Sequence, residues 1–255
     1  MRFDTIQCQV ADGVATLIID KPPVNALGSD DYGELYEILY KLSKDESIRA
    51  AILTAVGEKI FVGGSDVKEF FALNGRTGPM YTARNNGVRS YLYHFPVPVI
   101  CAMNGSAFGG GVGLAVCCDI RLCTPEAKFN LGEIDMGILG LTQHFAARCV
   151  NGISRKMVYT GERIDAQEAR HMGLVDEIVP REGLMDRARQ LAGKIAAKSP
   201  AAIRYAKQCM IEAEKNALAG LPFEEACVGR LWATEDKDEA VSAFLEKRPP
   251  RFRNK

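Results

Sequence analysis

The sequence predicts an α/β fold in which strands alternate with helices up to about residue 180, followed by an all-helical end. Three observations carry this. Apolar runs of strand length recur between segments whose apolar residues repeat at helical spacing. Two of those strands break into glycines and resume as helix, at Phe61-Val62-Gly63-Gly64-Ser65-Asp66-Val67 and at Cys101-Ala102-Met103-Asn104-Gly105-Ser106-Ala107-Phe108-Gly109-Gly110-Gly111. From Gly183 onward the chain is rich in Ala, Leu, Glu, Lys and Arg at helical spacing, broken at Pro200 and Pro222.

Taken in order, Phe3 to Val10 and Val14 to Asp20 are β-rich runs separated by Ala11-Asp12-Gly13, which predicts a hairpin through an Asp-Gly turn. Lys21 to Leu27 is a loop, because Pro22 and Pro23 cannot continue a helix. Ser29 is an expected N-cap, Asp30 and Asp31 suit the first turn, and Tyr32, Leu35, Tyr36, Leu39 and Leu42 form one apolar stripe. Arg49 to Thr54 is a short buried strand. Asn74 to Asn86, with Gly75, Gly78 and Pro79, reads as a polar, mobile loop before a helix running to about His94. Val99 to Met103, Ile120 to Cys123, Lys128 to Leu131 and Leu174 to Val179 read as strands. Helices are expected over His144 to Val150, Ser154 to Thr160 and Ala166 to His171, the last capped by Asp165 and ended at Gly173.

Composition narrows the function classes. Lys+Arg and Asp+Glu are both 32, so no overall charge draws the chain to nucleic acid or a membrane surface. No apolar run approaches a membrane span, and Met1-Arg2-Phe3-Asp4-Thr5 has neither the apolar core of a signal peptide nor the look of a transit peptide, so the expected address is the cytoplasm. The eight cysteines, at 8, 101, 117, 118, 123, 149, 209 and 227, form no C-x-x-C pair and lie mostly in apolar surroundings, which predicts buried thiols. His94, His144 and His171 show no ligand spacing, and no metal is expected.

The two glycine turns carry the chemistry. Each can aim a backbone N–H at one point, and two such donors on one oxygen form an oxyanion hole that stabilises an enolate or tetrahedral intermediate of a thioester. A dinucleotide-binding turn is the competing reading, but counting from Gly109 or Gly111 the third glycine of G-x-G-x-x-G falls on Leu114 or Val116. No phosphate-binding Walker pattern is present either.

Phe61 to Glu69, Asn104 to Gly111, Cys118-Asp119, Phe129 to Glu133, Gly173-Leu174-Val175 and Ala243-Phe244-Leu245-Glu246-Lys247-Arg248 together resemble the enoyl-CoA hydratase/isomerase family, the crotonase superfamily, in order over nearly the whole chain. The resemblance implies a crotonase-like spiral of repeated β-β-α units over 1–190, and a C-terminal helical region over 191–255 that makes trimers, often paired into hexamers, and covers the active site. It implies an acyl-CoA substrate and no cofactor beyond the coenzyme A of that substrate. Ser65 and Gly110 match the two oxyanion-hole N–H donors, and Glu133 matches a catalytic glutamate. Val24, Ala26, Val62, Gly64, Asp66, Val67, Gly113 and Lys247 match substrate-binding positions; Asp66 more often stabilises the turn, and Lys247 can reach a CoA phosphate.

Two departures bear on the reaction. The hydratases carry two glutamates that hold one water between them, and the first falls here at Gly113, which has no carboxylate. The segment from Gly137 to Gln143 is three residues shorter than the usual pattern and lacks its Pro, so the acyl pocket is expected to be reshaped. A single carboxylate at Glu133 suits a double-bond isomerase, with its pKa lifted by an apolar pocket. Hydration with a replaced second acid, thioester hydrolysis, decarboxylation and acyl-CoA binding without turnover are the alternatives. Asp135 suits a cap or turn, and His144 a helix start or the core.

Overall fold

The structure, a computed structural model, describes residues 4–70, 72–73, 76–136, 140–149, 151–215, 234–236, 239, 243 and 246–253. The expectations for Pro222, Cys227, Phe244 and Leu245 lie outside these residues. The hairpin forms as read: β1 (Ile6–Ala11) and β2 (Val14–Ile19) pair antiparallel across Asp12 and Gly13, both at positive φ (51° and 73°). The helix α1 (Ser29–Ser43) follows, then β3 (Ala50–Ala55), β4 (Ile60–Val62), α2 (Val67–Phe70) and α3 (Thr77–Tyr93). Next come β5 (Val99–Met103), β6 (Ser106–Phe108), α4 (Gly110–Val116), β7 (Ile120–Cys123) and β8 (Lys128–Asn130). The remaining elements are α5 (Thr142–Arg148), α6 (Asn151–Thr160), β9 (Ile164–Asp165), α7 (Ala166–His171), β10 (Glu177–Ile178), α8 (Arg181–Ala196) and α9 (Pro200–Lys215).

Two sheets result. The larger has the order β1-β2-β3-β5-β7-β10 and is parallel apart from the first hairpin; the smaller has the order β4-β6-β8-β9, parallel except at β8–β9. Each pass of the chain lays one strand in the larger sheet and the next in the smaller: β3 then β4, β5 then β6, β7 then β8. That is the expected β-β-α repeat. Since β4 and β6 are parallel neighbours, with Ile60 opposite Ser106 and Val62 opposite Ala107, the glycine turns that follow them leave the sheet at the same end.

Strand β3 is buried on both faces, as expected of a central parallel strand. Its alternate residues divide the core. Ala51 and Leu53 join the cluster under α1, built from Tyr32, Leu35, Ile38, Leu39 and Leu42, whereas Ala50 and Ile52 meet Leu184, Ala188 and Ala192 of α8. Each large apolar side chain buried this way contributes roughly 1.5–3 kcal/mol over leaving it in water. Helix α9 is anchored by buried Lys207, whose Nζ donates to Asp119 Oδ2 (2.7 Å) and to the Val97 carbonyl (3.1 Å). The cysteines at 8, 101, 117, 118, 123 and 149 are buried, and burial pushes Cys117 and Cys123 up to about 12, which removes them as nucleophiles at neutral pH. No helix among the described residues is long and apolar enough to cross a membrane.

Four local expectations are corrected. The N-cap of α1 is Gly28, not Ser29: the Asp31 carboxylate accepts from the Gly28 N–H (2.6 Å), and Glu69 of α2 reaches over to accept from the Ser29 N–H (2.9 Å) and hydroxyl (3.0 Å). Tyr36 faces outward, 43% exposed, and Ile38 takes its place in the core. The strand expected over Leu174 to Val179 shrinks to Glu177–Ile178. Most consequential, the segment expected as a loop before residue 87 is helix from Thr77 onward. Pro79 falls in its first turn, where a missing N–H leaves no bond unmade, and burial of Val88, Leu92 and Tyr93 holds the rest despite Gly87.

Candidate active site

The two glycine turns meet. Gly64, at φ +109°, is so close to the second turn that a Cβ built on it would lie 3.1 Å from the Phe108 carbonyl oxygen and 3.9 Å from the Gly110 nitrogen. Only glycine fits there, for conformation and for space. Leu27 donates its N–H to the Gly64 carbonyl (2.9 Å) and accepts from the Asp66 N–H (2.9 Å). These bonds straddle Ser65, so the Ser65 N–H points to the other side of the strand, the side on which Gly110 lies. Gly110 opens α4, where the first N–H groups have no carbonyl one turn back to receive them. The segment Val24 to Leu27 thus braces the first turn through its backbone, with Gly63 N–H also bonded to the Val24 carbonyl (2.9 Å).

Both donors border a cavity of about 170 Å³, and Glu133 stands on its wall. Gly109 makes room for the carboxylate: it adopts φ +46°, and a Cβ there would meet Glu133 Oε1 at 2.7 Å. Burial raises the Glu133 pKa above the ordinary carboxylate range, against the pull of its own backbone N–H and the Arg89 charge. Glu133 Oε2 is buried with no hydrogen-bond partner among the described residues, and Glu133 is the only acid among the described residues that line the cavity. Two backbone donors and one raised carboxylate around a small, largely apolar space are the parts that enolate chemistry at a thioester needs.

Helix α3 supplies a wall that the sequence reading missed. Tyr81, Asn85 and Arg89, four residues apart, lie on one helical face and line the cavity. Arg89 Nη2 donates to the Tyr32 hydroxyl (2.8 Å), Nη1 donates to Asn86 Oδ1 (3.0 Å), and the guanidinium lies 5.1 Å from the centre of the Tyr32 ring. The Tyr81 hydroxyl faces Ser65 and Asn85 without a well-aligned hydrogen bond to either, and burial raises its pKa. The i, i+4, i+8 spacing of three polar side chains is the signal in the sequence for this face, and Gly78 and Pro79, which favour a loop, mask it.

The other expected positions divide. Gly64 and Val67 line the cavity, Val67 half-exposed at its mouth. Val24, 42% exposed, reaches the site only through its backbone bond to Gly63, Ala26 is not among the lining residues, and Val62 is wholly buried beneath Gly111, whose Cβ would lie 2.2 Å from the Val62 carbonyl oxygen. Asp66 turns back to accept from the Lys68 N–H (3.1 Å), a turn-stabilising role, and is not among the lining residues. Gly113 is buried behind the wall: a Cβ there would meet Leu141 Cδ2 at 2.3 Å and Arg89 Nε at 3.1 Å. Lys247 is exposed, with φ 55°, and does not line the cavity. Asp135 faces Gly161 rather than Glu133, and His144 packs its ring on Tyr93 (5.3 Å between centres), its pKa lowered by burial and by Arg89 and Arg148. In the shortened segment, Leu141 stands at φ 65° over Gly113, while residues 137–139 lie outside those described.

A family model described as enoyl-CoA hydratase/isomerase matches residues 9–255. The chain is 34% identical over 253 residues to the short-chain-enoyl-CoA hydratase of Clostridium acetobutylicum, covering 97% of each. It is 37% identical over 243 residues to the (7aS)-7a-methyl-1,5-dioxo-2,3,5,6,7,7a-hexahydro-1H-indene-carboxyl-CoA hydrolase of Rhodococcus jostii, covering 94% of this chain and 93% of that protein. The crystal structure of an enoyl-CoA hydratase from Bacillus anthracis superposes with a TM-score of 0.94 at 31% identity, over 99% of this chain and 100% of that one.

Proposed function

The chain belongs to the enoyl-CoA hydratase/isomerase family, and from that premise we propose that it moves the double bond of an enoyl-CoA thioester through an enolate, with Glu133 as its single base. The observation that carries this reading is the site at position 113. Where a hydratase of the family keeps its first glutamate, this chain has a glycine packed under Leu141 and Arg89, and Glu133 is left as the one lining acid among the described residues.

The steps follow from the geometry. The thioester oxygen accepts hydrogen bonds from the Ser65 and Gly110 N–H groups. Glu133 removes a proton from C2 of a 3-enoyl thioester, and the negative charge moves onto that oxygen, where preorganised donors hold it. The Glu133 carboxylic acid then returns the proton to C4, so the double bond shifts from C3–C4 to C2–C3 and the carboxylate is regenerated. A carboxyl whose pKa is raised by burial suits both halves of this shuttle better than an ordinary one.

Hydration is the second reading, favoured by the names of relatives such as the Clostridium enzyme. It asks Glu133 to act on water and on C2 without a second carboxylate. Mass and absorbance analysis of 2-enoyl-CoA and 3-enoyl-CoA substrates, with the unaltered protein and with Glu133→Gln, separates the two. Isomerisation lost in Glu133→Gln, with little water addition in either, supports the proposal; rapid water addition by the unaltered protein overturns it. The family resemblance also supports assembly as a homotrimer or a dimer of trimers, which sedimentation of the full chain reads directly.

A further inference from the structure

Arg89 is only 6% exposed, yet no carboxylate among the described residues lies within ion-pair distance of it, and Glu133 feels its charge only from further off. The other buried cations in the described residues are all paired: Lys207 with Asp119 at 2.7 Å, Arg148 with Glu214 at 3.2 Å and Arg121 with Asp176 at 3.2 Å. None of the ion pairs found among the described residues includes Arg89. Its Nε has no hydrogen-bond partner among them, and the neutral Tyr32 and Asn86 take only two of its five N–H groups. A buried guanidinium left in this condition is unfavourable unless an anion meets it.

The surroundings sharpen what that anion is. Asn85, 1% exposed, lines the same cavity one helical turn earlier, and neither its amide nitrogen nor its amide oxygen has a partner among the described residues. The Tyr81 hydroxyl stands a further turn away, buried and without a well-aligned partner. A guanidinium, an amide N–H₂ and a phenol O–H on one face offer several donors to a group with several acceptor oxygens. A planar carboxylate matches that set, and a guanidinium beside a carboxylate makes the stronger, charge-assisted kind of bond. The Arg89 Nε and Nη2 atoms also lie 3.1 and 3.2 Å from the points where side chains on Gly113 and Gly110 would begin, so the cation overhangs the first turn of α4 and the reacting end of the cavity.

We infer that the α3 wall, Arg89 with Asn85 and Tyr81, binds a carboxylate carried on the acyl group, so that the substrate is a dicarboxylic acid mono-thioester of coenzyme A rather than a plain fatty acyl-CoA. The inference rests on the proposed function only in seating the thioester oxygen at Ser65 and Gly110. The wall sets specificity, whatever reaction Glu133 performs.

The test uses saturated thioesters, which have no double bond to move, so binding is read apart from turnover. The affinities of glutaryl-CoA and adipyl-CoA are measured by calorimetry against the terminal carboxamides of the same acyl groups, which match them in shape but carry no charge. For at least one chain length, the unaltered full-length protein binds the carboxylate at least tenfold more tightly than the amide. That ratio falls to about one in Arg89→Gln and is partly kept in Arg89→Lys. A ratio near one in the unaltered protein for both lengths overturns the inference, as does a preference that survives Arg89→Gln. An Arg89 whose only task is to balance Glu133 gives no carboxylate preference and so falls in the first of these outcomes. Should Arg89→Gln not fold, the unaltered protein's ratio still decides. Loss of isomerase activity with the carboxylate preference intact counts against the proposed reaction and leaves this assignment standing.

Discussion

Placing a carboxylate at position 113 tests the proposal that its absence is what keeps this chain from acting as a hydratase. A side chain begun there runs into Leu141 Cδ2 at 2.3 Å and Cδ1 at 3.0 Å, both at the movable end of a leucine, so Gly113→Glu is combined with Leu141→Ala to open the space. Replacing a helical glycine recovers up to ~1 kcal/mol of helix propensity, while truncating a buried leucine costs roughly 2–5 kcal/mol, reduced here because the new side chain refills the site. A net loss of about 1–3 kcal/mol leaves a domain of ordinary stability folded. The new carboxylate then meets Arg89, whose Nε lies 3.1 Å from the Cβ position. A neighbouring guanidinium lowers a carboxyl pKa by roughly 1–3 units, which depletes the acid form at neutral pH by about 10- to 1,000-fold. The double variant therefore adds water little faster than the unaltered protein. Adding Arg89→Gln frees the acid, and the triple variant gains roughly 10²- to 10⁴-fold in water addition, the usual worth of one positioned acid or base. Loss of the conjugated enoyl-thioester absorbance, with the hydroxyacyl product identified by mass, measures it. An unaltered protein that already adds water as fast as the triple variant refutes the reasoning.

Three further outcomes follow from the same geometry. Glu133→Gln lowers the isomerisation rate by roughly 10²- to 10⁴-fold while butyryl-CoA still binds, checked by single-turnover kinetics and calorimetry. Glu133 must be ionised to take a proton, and burial raises its pKa, so activity declines on acidification at a pH above the ordinary carboxylate range; because Arg89 lowers that pKa, Arg89→Gln moves the acid limb of kcat/KM to higher pH, as a pH–rate profile reads. Gly111→Ala places a Cβ 2.2 Å from the Val62 carbonyl oxygen and destabilises by several kcal/mol, whereas Gly193→Ala in α8, with nothing within 4 Å, stabilises by up to about 1 kcal/mol; urea unfolding of both variants checks the contrast.

What could be read in the sequence is what depends on neighbours in the chain. The Asp12-Gly13 hairpin, the cap at Asp165 and the two glycine turns are set by local backbone requirements, and each appears where its residues stand. The misreadings have distant partners. Glu69 displaces Ser29 as the cap by reaching across 40 positions to the α1 N-terminus. The α3 segment reads as loop because Gly78 and Pro79 are weighed without the packing of Val88 and Leu92 that holds the helix. Gly113 could be marked as a missing carboxylate from resemblance alone, but nothing nearby in the sequence shows that Leu141 and Arg89 fill the space.

The site accordingly has two origins. The proposed oxyanion donors come from backbone just after β4 and β6, and the meeting of their turns follows from those strands being parallel neighbours, so side-chain changes scarcely touch it. The wall opposite is made of side chains from α3 and the segment at Leu141, elements outside the smaller sheet and free to vary without disturbing it. Gly113 and Arg89 are then coupled, since a side chain begun at 113 would lie 3.1 Å from the Arg89 Nε. A glutamate at 113 beside that guanidinium would be held ionised and spoiled as an acid, and the guanidinium beside a glutamate would be neutralised and lost to an anionic acyl group. Either residue is useful in this cavity only where the other has been given up. On the readings proposed above, a chain whose Arg89 is buried over Gly113, with no ion-pair partner among the described residues, forgoes a second proton-transfer group and gains a means of choosing its substrate.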